Sequence, residues 1–263
     1  MSTHRPAHPT TAVDHRASVA AETAAFVAAV QGADPTTPVP SCPGWNLADL
    51  VKHTGSVQRW FAVLLRKEIQ QPPTSRDVDL QLPPRPEDYP DWLAASAVEA
   101  AGAFAATAPD TPMWAWGADQ HARFWARRML YETLVHRVDA ELALGRRPMV
   151  DRALAVDGVD EFLVNLPFAA FFAPNTAQLR GTGQTIRFRC IDGEGDWLVR
   201  LQPDRFGIAT DGPGRETAVD ATLRGAAADL LLLLYGRLDP MDDRFERQGN
   251  PALLDRWFAN SAF

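Results

Sequence analysis

The sequence predicts an α+β protein in which a four-helix bundle precedes a smaller domain of strands and helices. In the first half, four apolar segments at helical spacing are separated by proline-rich connections. After Pro148 the pattern changes to short alternating segments flanked by helical ones. We therefore expect the bundle at residues 13–147 and the second domain at 151–263. Residues 1–12, rich in Pro, Thr and His, are predicted to be a disordered tail.

The helices of the bundle are predicted from apolar spacing and from the residues at their ends. Three prolines between Asp34 and Pro40 separate the first helix from the second. The second helix starts at Asn46, a favourable N-cap, and Asp49 is the matching capping-box residue. A loop with six prolines at 71–90 follows it, and Gly145 is a natural end for the fourth helix. The predicted helices cover residues 14–31, 46–69, about 91–107 and about 119–145.

The second domain is predicted from segments with a period of two residues. Ile186, Phe188 and Cys190 alternate with polar residues, which gives one apolar and one polar face. A glycine turn at 193–195 leads into a second alternating segment at 197–202. Further strands are expected at 205–210 and 218–225, and helices at 151–166, 225–237 and 251–258.

Composition excludes several classes of protein. The net charge is −7, from 26 basic and 33 acidic residues, which argues against a nucleic-acid partner. Two cysteines far apart in sequence make no disulfide framework, so a cytoplasmic location is expected. The N-terminus has no apolar secretory segment, and the longest aliphatic run, 230–234, is too short to span a bilayer. No segment demands an oligomer, and a monomer is the default expectation.

A metal site is one interpretation of three residues in the bundle. Glu132 and His136 stand four residues apart, so on a helix they share a face. His53 on the second helix can supply a third ligand if the two helices are neighbours. Two imidazoles, one carboxylate and an open position are typical of catalytic zinc, and they also suit iron, nickel or cobalt. Spacing alone leaves an alternative open, in which Glu132 pairs with Arg128 and His53 is a core histidine.

Two segments of the bundle resemble a known family. "VPSCPGWNLADLVKHTG" and, further on, "FWARRMLYETLVHRVDAE" are similar to motifs of the mycothiol-dependent maleylpyruvate isomerase family, whose first domain is a DinB-like helical bundle. "ATLRGAAADLLLLLYGR" and "NPALLDRW" resemble two later segments of the same family, so the similarity covers nearly all of the chain after the tail. The resemblance implies that His53, Glu132 and His136 are the metal ligands.

The resemblance also implies a reaction. Mycothiol would be the thiol co-substrate, and a divalent metal, most simply zinc, would hold it as a thiolate that adds to an electrophilic small molecule. The outcome is either maleylpyruvate-type cis–trans isomerisation or S-transfer. An anionic substrate needs arginines: Arg237 matches a family position and is the first candidate for a catalytic role, and Arg128 is the candidate for cofactor binding.

Two other functions stay open at this point. A metal-dependent hydrolase acting on a thiol conjugate would use the same ligands with water. A non-enzymatic small-molecule binding protein is the other alternative, because the strand–helix pattern of the second domain resembles the sterol-carrier type.

Residues around the predicted ligands have several possible roles. The turn at Cys42 and Trp45 is expected to fix how the second helix enters the bundle, with Cys42 as a ligand or nucleophile the less favoured interpretation. Asp49 and Asp139 are both spaced to accept an imidazole N–H, although Asp49 also suits the helix cap. Cys190 is expected in the core.

Overall fold

The computed structural model describes residues 13–73, 78–209 and 219–262. The chain divides into two compact units, Asp14–Met149 and Val150 onward, which we call the first and second units. Seven α-helices and one five-stranded sheet occur in the described residues, so the predicted α+β class is confirmed. The tail predicted at 1–12 lies outside them.

The first unit is a bundle of four helices whose apolar faces meet in one core. Helix α2 packs against α3 and α4, and α1 also packs against both. Side chains from all four helices are almost fully buried between them, among them Phe26, Leu50, Leu93 and Trp125. The helices are α1 (His15–Val30), α2 (Leu47–Arg66), α3 (Tyr89–Ala106) and α4 (Ala122–Ala143).

Among the helix ends that differ from the prediction, two have identifiable causes. Helix α2 ends at Arg66 rather than at residue 69, because Glu68 adopts a left-handed backbone conformation with φ +43°. Helix α3 starts at Tyr89, inside the predicted loop. Pro90 lies in its first turn, where the missing N–H costs no hydrogen bond.

The start of α2 shows the predicted capping box. The Asn46 side chain accepts a hydrogen bond from the Asp49 N–H at 2.9 Å, and the Asp49 carboxylate accepts one from the Asn46 N–H at 3.2 Å. These two bonds satisfy N–H groups that have no partner within the helix. They fix the first turn of the helix that carries His53.

We expect Asn46→Ala to lower the free energy of unfolding by about 1 kcal/mol, because it removes the oxygen that caps α2. Urea unfolding followed by circular dichroism measures the change. Asn46→Ser is the matched control, since serine keeps a capping oxygen and should retain most of the stability. An equal loss in both variants would show that the cap is not the cause.

The segment before α2 is a compact turn. Val39 donates its N–H to the Trp45 carbonyl at 2.9 Å, and Trp45 donates to the Cys42 carbonyl at 3.0 Å. Gly44 has φ +85°, a conformation that glycine adopts without steric cost. The turn holds Cys42 and Trp45 close to the first turn of α2.

The second unit is built on a mixed sheet with strand order β3-β2-β1-β4-β5. Strands β1 and β4 pair in parallel, and the other neighbours are antiparallel. Its core includes the fully buried side chains of Phe162, Phe188 and Trp257. The elements are α5 (Arg152–Asn165), β1 (Thr185–Cys190), β2 (Asp196–Leu201), β3 (Phe206–Ile208), β4 (Ala221–Gly225), α6 (Ala227–Leu234), β5 (Glu246–Gly249) and α7 (Pro251–Asn260).

Strand β5 was missed by the sequence analysis. Its sequence, ERQG, has no apolar residue, and all four residues are exposed at the edge of the sheet. Gly249 has φ +83°, and a Cβ there would overlap the Asp220 carbonyl. Hydrogen bonding to β4 therefore defines this strand, and no hydrophobic pattern marks it.

Within the described residues, no helix is both long and apolar enough to cross a membrane.

Candidate metal centre

The packing of α2 against α4 brings together the three residues predicted as ligands. His53 Nε2 lies 2.9 Å from Glu132 Oε1, and His136 Nε2 lies 3.5 Å from the same oxygen. The two imidazole rings meet edge to face with their centroids 5.0 Å apart. One potential ligand atom from each residue lies within 4.8 Å of the others.

Local structure explains this convergence. Glu132 and His136 are separated by one turn of α4, so both side chains project from one face. His53 lies on the second turn of α2, directly after the capped N-terminus. The His136 side chain is 12% exposed and that of His53 is 31% exposed, so the cluster is partly buried and still reaches the surface.

Charges at the cluster favour a cation. Burial opposes ionisation of Glu132, yet hydrogen bonds from His136 and His53 and the nearby Arg128 guanidinium hold its pKa well below the usual value. Burial likewise disfavours the charged form of His136. Hydrogen bonds with Asp139, Cys42 and Glu132 nevertheless hold its pKa well above the usual value. Two carboxylates thus surround one ring, and positive charge is stabilised at this point.

The residues present fit a divalent metal. Two imidazole nitrogens and one carboxylate oxygen are the donor types of catalytic zinc sites, which keep a fourth position open. Bonds of roughly 2.0–2.2 Å to one ion place neighbouring ligand atoms about 3–3.5 Å apart in a tetrahedral site. The separations of His53 and His136 from Glu132 Oε1, 2.9 and 3.5 Å, are close to this spacing. That the three residues bind metal remains a prediction.

Asp49 and Asp139, the two aspartates spaced to support a histidine, have different partners in the structure. Asp139 Oδ2 accepts a hydrogen bond from His136 Nδ1 at 2.9 Å, and Asp139 is fully buried. Cys42 donates its S–H to the same oxygen at 3.4 Å. Asp49 instead forms the capping box of α2. Asp139 is therefore the carboxylate beside a candidate ligand.

Trp45 borders the cluster, which the sequence analysis missed. Its ring centroid lies 5.0 Å from that of His53 and 6.1 Å from that of His136. The sequence predicts only that the turn containing Trp45 fixes how the second helix enters the bundle. The sequence places Trp45 in the same turn as Cys42. It does not show which helix the Trp45 side chain contacts.

The two arginines predicted for substrate and cofactor lie in different units. Arg128 is buried, and its Nη2 is 3.4 Å from Glu132 Oε2. The ion pair that the sequence analysis kept as an alternative is thus present, in addition to the three-residue cluster. Arg237 follows α6 in the second unit and donates a hydrogen bond to the Tyr235 carbonyl at 2.6 Å.

Cys190 should be unreactive in the folded protein. Burial, together with nearby Asp192, raises the pKa of its thiol to about 11, so at pH 8 very little thiolate is present. We expect the variant Cys42→Ser, which retains only this thiol, to react with an aromatic disulfide reagent after denaturation but not before. Fast reaction of the folded variant would contradict this. Cys190→Ser, which retains Cys42, is the matched comparison.

Comparison with known proteins gives a consistent result. Residues 16–141 match the family model of the mycothiol maleylpyruvate isomerase N-terminal domain, and residues 153–256 match the MDMPI C-terminal domain. A crystal structure of a mycothiol-dependent maleylpyruvate isomerase is similar at a TM-score of 0.60 and 13% identity. A structure of a histidine-to-alanine mutant of such an enzyme has the same TM-score at 12% identity. Each similarity covers 89% of this chain and 92% of the other. No curated protein matches the sequence.

Proposed function

Because the chain belongs to the mycothiol-dependent maleylpyruvate isomerase family, we propose that it is a metalloenzyme that activates mycothiol toward an electrophilic small molecule. The proposed ligands of a divalent metal, zinc in the simplest case, are His53, Glu132 and His136. The observation that carries the proposal is the convergence of one donor atom from each residue within 4.8 Å.

The charge of the donor set suits a thiolate. A free thiol is mostly protonated at neutral pH, and a divalent cation lowers the pKa of a thiol bound to it. Two neutral imidazoles and one carboxylate leave a net charge of +1 on a divalent ion. An anion is therefore favoured in the open position. A set with two carboxylates would leave no net charge and would favour a neutral ligand instead.

The protein's own groups prepare this position. Glu132 supplies the single negative charge, and Arg128 lies at 3.4 Å from its second oxygen and opposes rotation of the carboxylate. Asp139 binds Nδ1 of His136, which leaves Nε2 directed at the cluster. The Trp45 ring lies next to both imidazoles and places an apolar surface at the edge of the cluster.

The proposed reaction uses the thiolate as a nucleophile. Its sulfur forms a bond to one carbon of the cis double bond, and the π electrons move into the conjugated carbonyl. Rotation about the resulting single bond, followed by loss of the sulfur, gives the trans isomer and returns the thiol unchanged. An electrophile with a leaving group would instead retain the sulfur, which is S-transfer.

Arginine is suited to a substrate with carboxylates, because its guanidinium binds a carboxylate through two parallel hydrogen bonds. We propose Arg237 for a catalytic role toward the substrate, on the strength of its family position, and Arg128 for cofactor binding. For Arg237, the variant Arg237→Lys keeps the charge but loses the paired hydrogen bonds. A raised KM or a lowered kcat in this variant would support the assignment.

The first experiment is an isomerase assay with maleylpyruvate, with and without mycothiol. We expect turnover to the trans isomer only when the thiol is present. Cleavage of a mycothiol conjugate without added thiol would favour the hydrolase alternative. Absence of both activities, together with tight binding of an apolar ligand, would favour a binding protein. A cytoplasmic location and a monomeric state remain predictions.

A further inference from the structure

Three polar groups form a hydrogen-bond chain behind the candidate metal centre. The Cys42 thiol donates to Asp139 Oδ2 at 3.4 Å, and the same oxygen accepts from His136 Nδ1 at 2.9 Å. Cys42 lies in the turn before α2, whereas the other two residues lie on α4. These hydrogen bonds therefore link Cys42 and Asp139, which are 97 positions apart in sequence.

Burial makes these bonds important. Asp139 has no exposed surface, and a buried carboxylate is costly unless it is hydrogen-bonded. Because its Oδ2 accepts from Nδ1, the imidazole can offer only Nε2 to the group formed with His53 and Glu132. A second donor on this oxygen restricts where the carboxylate sits, and thus where the ring sits.

We propose that Asp139 and Cys42 are positioning residues for His136. Asp139 selects the ring nitrogen that faces the metal, and Cys42 holds the carboxylate in place. The inference deepens the proposed function and rests on it, because a metal must bind for the orientation of His136 to matter. It also gives the cysteine of the turn a role that is neither ligand nor nucleophile.

One competing interpretation uses the same atoms. Cys42, Asp139 and His136 also offer three donor atoms within 4.8 Å, close enough for a metal of their own. Full burial of Asp139 and the use of His136 in both groups favour the hydrogen-bond chain. Metal stoichiometry in the wild type and in Cys42→Ala distinguishes the two interpretations.

The test measures zinc affinity by competition with a chromophoric chelator in the full-length protein. We expect Asp139→Asn to weaken zinc binding by about 10–100-fold, the usual effect of losing a carboxylate behind a metal-bound histidine. Cys42→Ala should weaken it less. Cys42→Ser should restore wild-type affinity, because a hydroxyl still donates to Asp139. The absorption bands of bound cobalt should shift in the first two variants and return in Cys42→Ser.

Asp49→Asn is the matched control. It alters another carboxylate of the first unit, and this carboxylate caps α2. It should change thermal stability but not zinc affinity.

Wild-type affinity and cobalt spectra in both Asp139→Asn and Cys42→Ala would overturn the inference while leaving the proposed function intact. If Cys42→Ser weakened zinc binding as much as Cys42→Ala, Cys42 would have no positioning role for His136. Two ions in the wild type and one in Cys42→Ala would make Cys42 a ligand. A wild type that binds no zinc would overturn both the inference and the proposed function.

Discussion

Replacing His136 with alanine is expected to lower the metal content from about one ion per chain to nearly none. The variant leaves only His53 and Glu132, and two ligands on separate helices do not hold a divalent ion against dilution during purification. The loss of affinity should exceed the roughly 10–100-fold that follows the loss of a supporting residue. Elemental mass spectrometry of protein purified without added metal measures the effect.

His121→Ala is the matched control for this experiment. His121 belongs to the same unit and bonds Asp119 at 2.6 Å, but it is outside the three-residue cluster. It should therefore keep the wild-type metal content. Metal lost equally from both variants, or retained in His136→Ala, would contradict the ligand assignment.

The largest effect on stability is expected for Trp125→Ala. Trp125 is fully buried on α4, its ring centroid lies 4.8 Å from that of Phe61, and its N–H donates to the Trp114 carbonyl at 3.0 Å. Removing the ring creates a large cavity and leaves that carbonyl without its partner. We expect the free energy of unfolding to fall by about 3–5 kcal/mol and the Tm by roughly 10 °C, measured by calorimetry.

Val98→Ala is the control for an apolar truncation in the same unit. Val98 lies on α3 and is 72% exposed, so its loss should change the stability by less than about 0.5 kcal/mol. If Trp125→Ala were as stable as Val98→Ala, the aromatic cluster would not contribute to the core as described.

Much of the fold was predictable because its signals are local. The capping box of α2 depends on two residues three positions apart, and β1 follows from strict alternation between residues 185 and 190. Strand β5 was not predictable, because its polar residues pair with β4 only in the folded sheet. The early start of α3 follows from Pro90, which is unfavourable inside a helix but suits its first turn.

Part of the candidate site was likewise predictable from local spacing, and part of it was not. Helical spacing alone places Glu132 and His136 on one face. Spacing within one helix does not show which residue of α2 meets them, because that depends on the register between two helices. His53 was a candidate because it is the histidine of the second predicted helix, and the family resemblance implied the same residue. The contacts of Trp45 and Cys42 with α4 join residues about 90 or more positions apart, and no sequence pattern encodes them.

The central claim is that a metal at His53, Glu132 and His136 binds the thiol co-substrate. Absorption spectroscopy of the cobalt-substituted protein during titration with mycothiol tests it most directly. We predict a sulfur-to-cobalt charge-transfer band that saturates at one thiol per cobalt ion and is missing in His136→Ala. A protein that binds cobalt through these residues but shows no spectral change with the thiol would contradict the claim.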